Sequence, residues 1–122
     1  PRNSVVYTGT HDTQTVAAWY RELKGQDKVF AMDYMNLYGR DEDLIYMDFV
    51  RAALASVADT AIIPVQDYLG LGSEARINTP STLGDNWKWR MLEGEITEKK
   101  VKEIWRLAKI YGRLKPGNRQ DA

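Results

Sequence analysis

An α/β architecture follows from three features of this 122-residue sequence. Two short runs, Ser4-Val5-Val6-Tyr7-Thr8 and Ala61-Ile62-Ile63-Pro64-Val65, are rich in β-branched residues and read as strands. Each runs into polar chain, and stretches of helical periodicity lie between and after them, the order of βα units. The composition is 43% hydrophobic with four Trp and seven Tyr, enough for a core in what is at most one domain's worth of chain.

The first strand stops at Gly9. Val16, Trp19, Tyr20 and Leu23 then recur at helical spacing, giving a helix over 14–24 that ends at Gly25. A second helix is expected over 28–38, carrying Val29, Met32, Met35 and Leu37 and stopping at Gly39. The strongest helical pattern covers 41–58. From Leu44 to Ala58 its only polar residues are Asp48, Arg51 and Ser56, gathered on one narrow strip, which predicts burial over most of its surface. The continuous apolar run of the second strand fits a parallel strand covered on both faces, although Pro64 cannot donate to a ladder and fits the strand's end. Residues 66–94 show little periodicity, which is long for a connection in a compact domain. The last helix spans 97–112, with Thr97 as N-cap and Val101, Ile104, Trp105, Ala108 and Tyr111 as its apolar stripe. Residues 115–122 form a polar tail after a single unit over 1–114.

Two parallel strands cannot cover their own edges. The elements therefore make either a small α/β domain or part of a larger barrel. The chain opens on Pro1, not Met, as a processed chain or a cut-out piece does.

The 17 basic residues balance 17 acidic ones, against the cationic surplus of a general nucleic-acid binder or a polybasic membrane anchor. With no cysteine and one histidine, there is no disulfide framework, no thiolate nucleophile and almost no metal-ligand set. No phosphate-cradling glycine loop occurs, and Gly70-x-Gly72 alone carries no such signal. Neither a cofactor nor a metal is expected. No apolar run approaches the ~20 residues of a membrane span, so a soluble, cytoplasmic protein is expected.

Chemistry has three candidate locations. Thr8-Gly9-Thr10-His11-Asp12 follows the first strand, and in an α/β barrel such positions face the active site. A histidine beside a carboxylate suits hydroxyl binding or stabilising positive charge. As a pattern alone, Asp12 and Thr13 read more readily as N-caps of the following helix. Gln66 and Asp67 follow the second strand in the equivalent place, either converging on the same ligand or forming an ordinary strand-end loop. Arg76-Ile77-Asn78-Thr79-Pro80 and Gly84-Asp85-Asn86-Trp87-Lys88-Trp89-Arg90 combine flat aromatics with polar groups, as sugar sites do. Trp87 and Trp89 point the same way if extended, and core packing is the favoured reading for both.

Three of these blocks together resemble the C-terminal portion of the amylomaltase family, the 4-α-glucanotransferases or disproportionating enzymes of the α-amylase clan. They are Val5-Val6-Tyr7-Thr8-Gly9-Thr10-His11-Asp12, Ile63-Pro64-Val65-Gln66-Asp67-Tyr68-Leu69-Gly70-Leu71-Gly72, and Ala75-Arg76-Ile77-Asn78-Thr79-Pro80 closing on Asn86-Trp87-Lys88-Trp89-Arg90. The resemblance runs from Asn3 to Gly112. It implies a helix-rich C-terminal fragment of a (β/α)8 TIM-type barrel, about the last two βα units, with strands seven and eight at residues 5–8 and 61–65. It also implies retaining transfer of α-1,4-glucan segments through a covalent glycosyl-enzyme. By this resemblance Asp12 is the transition-state stabiliser and His11 binds hydroxyls. Asn78 and Pro80 lie beside the cleavage point, and Gln66 and Asp67 near the same pocket. The nucleophile and the acid/base belong upstream of Pro1, so this chain alone should be inactive. The family commonly continues His-Asp with Asn, where this chain has Thr13 and Gln14. The implied partners are malto-oligosaccharides and α-1,4-glucans, with glucose or a malto-oligosaccharide as acceptor. The rival expectation is a stand-alone α-glucan-binding module without catalysis. Open strand edges and the apolar 41–58 helix further predict self-association.

Overall fold

The computed structural model of the protein describes residues 3–115; residues 116–122 of the expected polar tail lie outside them. In chain order the elements are β1 (Val5–Tyr7), α1 (Val16–Glu22), α2 (Gly25–Met35), α3 (Ile45–Leu54), β2 (Thr60–Ile62), α4 (Val65–Tyr68) and α5 (Glu98–Ile110). Single 3-10 turns lie at Glu42–Leu44 and Ser73–Ala75. The strands pair in parallel, Val5 opposite Thr60 and Tyr7 opposite Ile62. Both therefore end on the same side, and the polar segments after them leave from one edge.

Each strand is shorter than its sequence run. In β2 the cause is Pro64, which sits at the N-cap position of α4, so Val65 opens a helix instead of closing a strand. Cover on both faces is not found among the described residues. Val5, Tyr7 and Ile62 share a face by register and are all about half exposed. Beside β1 a groove of about 470 Å³ is lined by apolar residues including Val6, Val16, Trp19, Phe49 and Ala53.

The core is organised by α3, which serves two clusters. Ile45 packs with Tyr20, Ala31 and Leu37, while Val50 and Leu54 pack with Leu107 of α5. Fully burying each of these aliphatic side chains is worth roughly 1.5–3 kcal/mol. Gly70, with φ at +67°, closes the end of α4 against the same helix: a Cβ there would lie 2.6 Å from the Tyr46 ring.

Several boundaries differ from the sequence reading. Asp41 caps a 3-10 turn by accepting from the Asp43 amide at 3.0 Å, and only then does α3 begin. That helix stops at Leu54, not Ala58, and it is not buried on nearly all sides, since Ala52 lies at the surface, as do Leu44 just before it and Val57 just after. Its end is held by Arg113, beyond α5. The guanidinium donates to the carbonyls of Leu54 (2.8 Å), Ser56 (3.3 Å), Ala58 (3.1 Å) and Asp59 (3.4 Å). Such carbonyls at a helix end lack intrahelical partners, and a cation suits them.

The second helix is ended by Asn36 in the left-handed region, before Gly39 is reached, and its Val29 is half exposed. Gly25 opens that helix and does not close the first, which ends at Glu22. In α5 the Thr97 hydroxyl accepts from the Lys100 amide at 3.1 Å, as expected. The buried stripe is rotated from the expected one: Leu107 is its most buried member and Val101 is half exposed.

Candidate functional site

The segment between β1 and α1 folds on itself first. The Thr13 amide and hydroxyl both donate to the Thr10 carbonyl, at 3.2 and 3.1 Å, and the Thr13 hydroxyl accepts from the Thr10 amide at 2.8 Å. This tight turn presents His11 and Asp12 at its tip. A Cβ on Gly9 would lie 3.0 Å from Thr13 Oγ1, so the turn leaves little room there for a side chain. The N-cap of α1 is Thr15, whose hydroxyl accepts from the Ala18 amide at 3.3 Å. Neither Asp12 nor Thr13 caps this helix, which removes the ordinary explanation for the Asp12 carboxylate.

That carboxylate has two other partners. Oδ2 lies 3.1 Å from His11 Nε2, and Oδ1 accepts from Asn78 Nδ2 at 2.8 Å. The Asp12 side chain is still 47% exposed, so one side of it faces outward. The Asn78 amide donates to the His11 carbonyl at 2.9 Å. Arg76 completes the brace, donating from Nη2 to the Asp12 carbonyl and from Nε to the Asn78 carbonyl, both at 2.9 Å. Two loops far apart in sequence are thus bolted together at the ends of two parallel strands. Beside them lies a cleft of about 430 Å³ lined by Tyr7, Thr10, His11, Ile62, Gln66 and Ile77.

Trp87 corrects the sequence reading. It is not core: it is 56% exposed, and its ring lies 5.1 Å from the His11 ring, centroid to centroid. Nor is it extended. Its φ is +61°, rare for so bulky a residue, and its amide donates to the Ile77 carbonyl at 2.6 Å. Asn86 shapes this loop by accepting from the Thr79 amide at 2.9 Å and donating to Thr82 Oγ1 at 3.0 Å. Pro80 is exposed, two residues beyond Asn78.

Gln66 and Asp67 lie deeper. Gln66 is buried, borders the cleft, and donates to the Ala75 carbonyl at 3.3 Å. Asp67 is only 1% exposed; its oxygens accept from the Thr8 hydroxyl at 2.6 Å and the Val16 amide at 2.8 Å. Of the six residues singled out in the sequence, the structure brings His11, Asp12 and Asn78 into direct contact. It sets Gln66 in the wall and Asp67 behind it. Arg76, Thr8 and the exposed Trp87 complete the arrangement; the sequence set them in the candidate blocks, but their contacts with Asp12, Asp67 and His11 span 59 or more positions and leave no local signal.

Burial pushes the Asp67 carboxyl above its ordinary value of 3.8, against the opposing pull of the Thr8 and Val16 hydrogen bonds. The folded-state pKa then exceeds the unfolded one, so the folded chain holds this proton more tightly. The associated stability is fully present below 3.8 and is lost as pH rises through the folded value. Asp67→Asn abolishes this titration. Its Tm should therefore decline less than wild type as pH is raised from 3.8 towards neutrality; parallel Tm–pH curves for the two proteins contradict this.

Residues 1–96 match a family model described as 4-alpha-glucanotransferase. A chloroplastic/amyloplastic 4-alpha-glucanotransferase of Arabidopsis thaliana is 44% identical over 115 residues, covering 92% of this chain and 20% of that protein. A 4-alpha-glucanotransferase of Clostridium butyricum is 44% identical over 114 residues, covering 92% of this chain and 23% of that protein. Among solved structures, an amylomaltase from Streptococcus agalactiae in complex with acarbose superimposes with a TM-score of 0.87 at 31% identity, over 94% of this chain and 23% of that one. The chain thus spans about a fifth of the length of the curated relatives it matches.

Proposed function

We infer, since this chain belongs to the 4-alpha-glucanotransferase family, that it forms the last two βα units of a (β/α)8 barrel that transfers α-1,4-glucan segments between malto-oligosaccharides. Two observations support the barrel placement. The exposed face of Val5, Tyr7 and Ile62 suits a barrel interior, and the groove beside β1 suits the preceding unit.

The observation that carries the functional reading is the Asp12 carboxylate. It stands at the carboxyl end of a parallel strand, half exposed, and is oriented by His11 and by Asn78 from a second loop. A carboxylate held in this way favours positive charge developing on a distorted sugar, as in an oxocarbenium-like transition state. In this reading Asp12 stabilises that state and His11 binds a sugar hydroxyl. Asn78 and Pro80 border the scissile bond, and Gln66 forms the pocket wall. The exposed Trp87 ring offers a flat surface for the apolar face of a sugar. Donor and acceptor are malto-oligosaccharides, and the nucleophile and acid/base come from outside this chain.

The test is a hybrid enzyme in which this chain replaces the matching segment of the Clostridium butyricum relative. Incubated with maltotriose, the hybrid should release glucose and longer oligomers, and this chain alone should release neither. A hybrid that melts cooperatively yet makes no product sinks the reading. If the chain alone binds maltotriose tightly while the hybrid stays inert, the glucan-binding module gains. The apolar groove and open strand edges also lead us to expect self-association of the isolated chain. Light scattering over a concentration series tests this, and a strictly monomeric species counts against it.

A further inference from the structure

We propose that Asp67 is a positioning residue that clamps both ends of the loop carrying His11 and Asp12 and touches no sugar itself. The proposal rests on the functional reading above for the importance of that loop, but its geometry stands apart from it. The loop leaves β1 at Thr8 and enters α1 at Val16. One buried carboxylate meets both points, Oδ2 at the Thr8 hydroxyl and Oδ1 at the Val16 amide. Asp67 lies in α4, which follows β2 after only Ile63 and Pro64, so the clamp ties the loop to the sheet. The Val16 amide heads the first turn of α1, where an N–H has no intrahelical acceptor, and Thr15 already serves Ala18. Without Asp67 that buried donor has nothing to meet, and the loop is held only at its tip by Arg76 and Asn78. Misplacement of a reacting group by about 1 Å costs on the order of 10²-fold in rate.

Chemistry separates a clamp from a sugar ligand. An asparagine at this position can accept from the Val16 amide and donate to the Thr8 hydroxyl, which reverses its role. Asp67→Asn should therefore preserve the loop, Asp67→Ala should release it, and Thr8→Val, which removes one of the two bonds, should fall between them.

The single histidine makes this measurable by NMR in the chain itself. His11 lies 5.1 Å from the Trp87 ring, so its C2 proton should be displaced by the ring current relative to the urea-unfolded chain. The expected result is displacement retained in Asp67→Asn and lost in Asp67→Ala, with the far-UV spectrum unchanged. Should Asp67→Ala fail to fold, Thr8→Val decides, with partial loss expected. Full displacement in Asp67→Ala, or in Thr8→Val when it is the deciding variant, overturns the proposal. So does equal loss in the Asn and Ala variants, or no displacement in wild type. In the hybrid enzyme, Asp67→Ala should lower kcat on the order of 10²-fold with KM for maltotriose little changed. A raised KM with unchanged kcat would make Asp67 a sugar ligand. A hybrid inactive with Asp67 intact bears on the functional reading alone, and the NMR result still decides the clamp.

Discussion

Asp12→Asn in the hybrid enzyme is expected to lower kcat by at least about 10²-fold, equivalent to about 3 kcal/mol or more of barrier. The substitution keeps the oxygen that accepts from Asn78 and removes the charge beside His11. Charge that acts mainly on the transition state appears in kcat, whereas contact with the ground-state sugar appears in KM. KM for maltotriose should therefore change little. Stability offers a control: Thr15 caps α1 and the Asp12 side chain is half exposed, so the melting temperature should barely move. Steady-state kinetics on maltotriose decide the matter. Turnover within a few-fold of wild type leaves Asp12 without a part in the chemistry.

Arg113→Ala carries the largest expected effect on stability, a loss of about 2–4 kcal/mol for a charged donor shared among several carbonyls. Those carbonyls belong to the end of α3 and the segment leading into β2, so the variant loosens the join between helix and sheet. Lysine should recover little of this, because an ammonium cannot reproduce the planar fork of a guanidinium. Urea denaturation of the wild type and both variants measures it. A lysine variant as stable as wild type means that charge alone suffices there. An alanine variant with an unchanged midpoint means that the carbonyls are satisfied by water.

The elements with strong local patterns were legible in the sequence, and those settled by distant contacts were not. Thr97 capped its helix where expected, since a hydroxyl before a helical stripe is a local signal. Pro64 was correctly an obstacle to the strand, for the equally local reason that it has no N–H. The 41–58 helix was read too long because its apolar pattern continues past Leu54; the carbonyls from that point on are met by Arg113, about sixty residues further along the chain. In the site, His11 and Asp12 stood out as residue types just past the end of a strand. Their pairing with Asn78 was invisible to spacing, and so was the Thr15 cap that frees Asp12. Trp87 was misjudged because aromatic residues usually pack inside, whereas a left-handed backbone turns this one onto His11. Apolar pattern reports burial averaged over an element, and an isolated loop residue escapes that average.

The long-range bonds that hold the His11–Asp12 turn join residues separated by 51 to 67 positions. During synthesis the turn therefore leaves the ribosome long before the groups that hold it exist. At roughly 5–20 residues per second, several seconds pass between translation of Asp12 and of Asn78. Until Asp67 is made the nascent loop has only local contacts such as those between Thr10 and Thr13, and by then α1, α2 and α3 are complete and can begin to pack. The helical scaffold thus precedes the braced His11–Asp12 turn in time, and a chain ending between Leu54 and Arg76 would hold α1, α2 and α3 without the Arg76 and Asn78 brace.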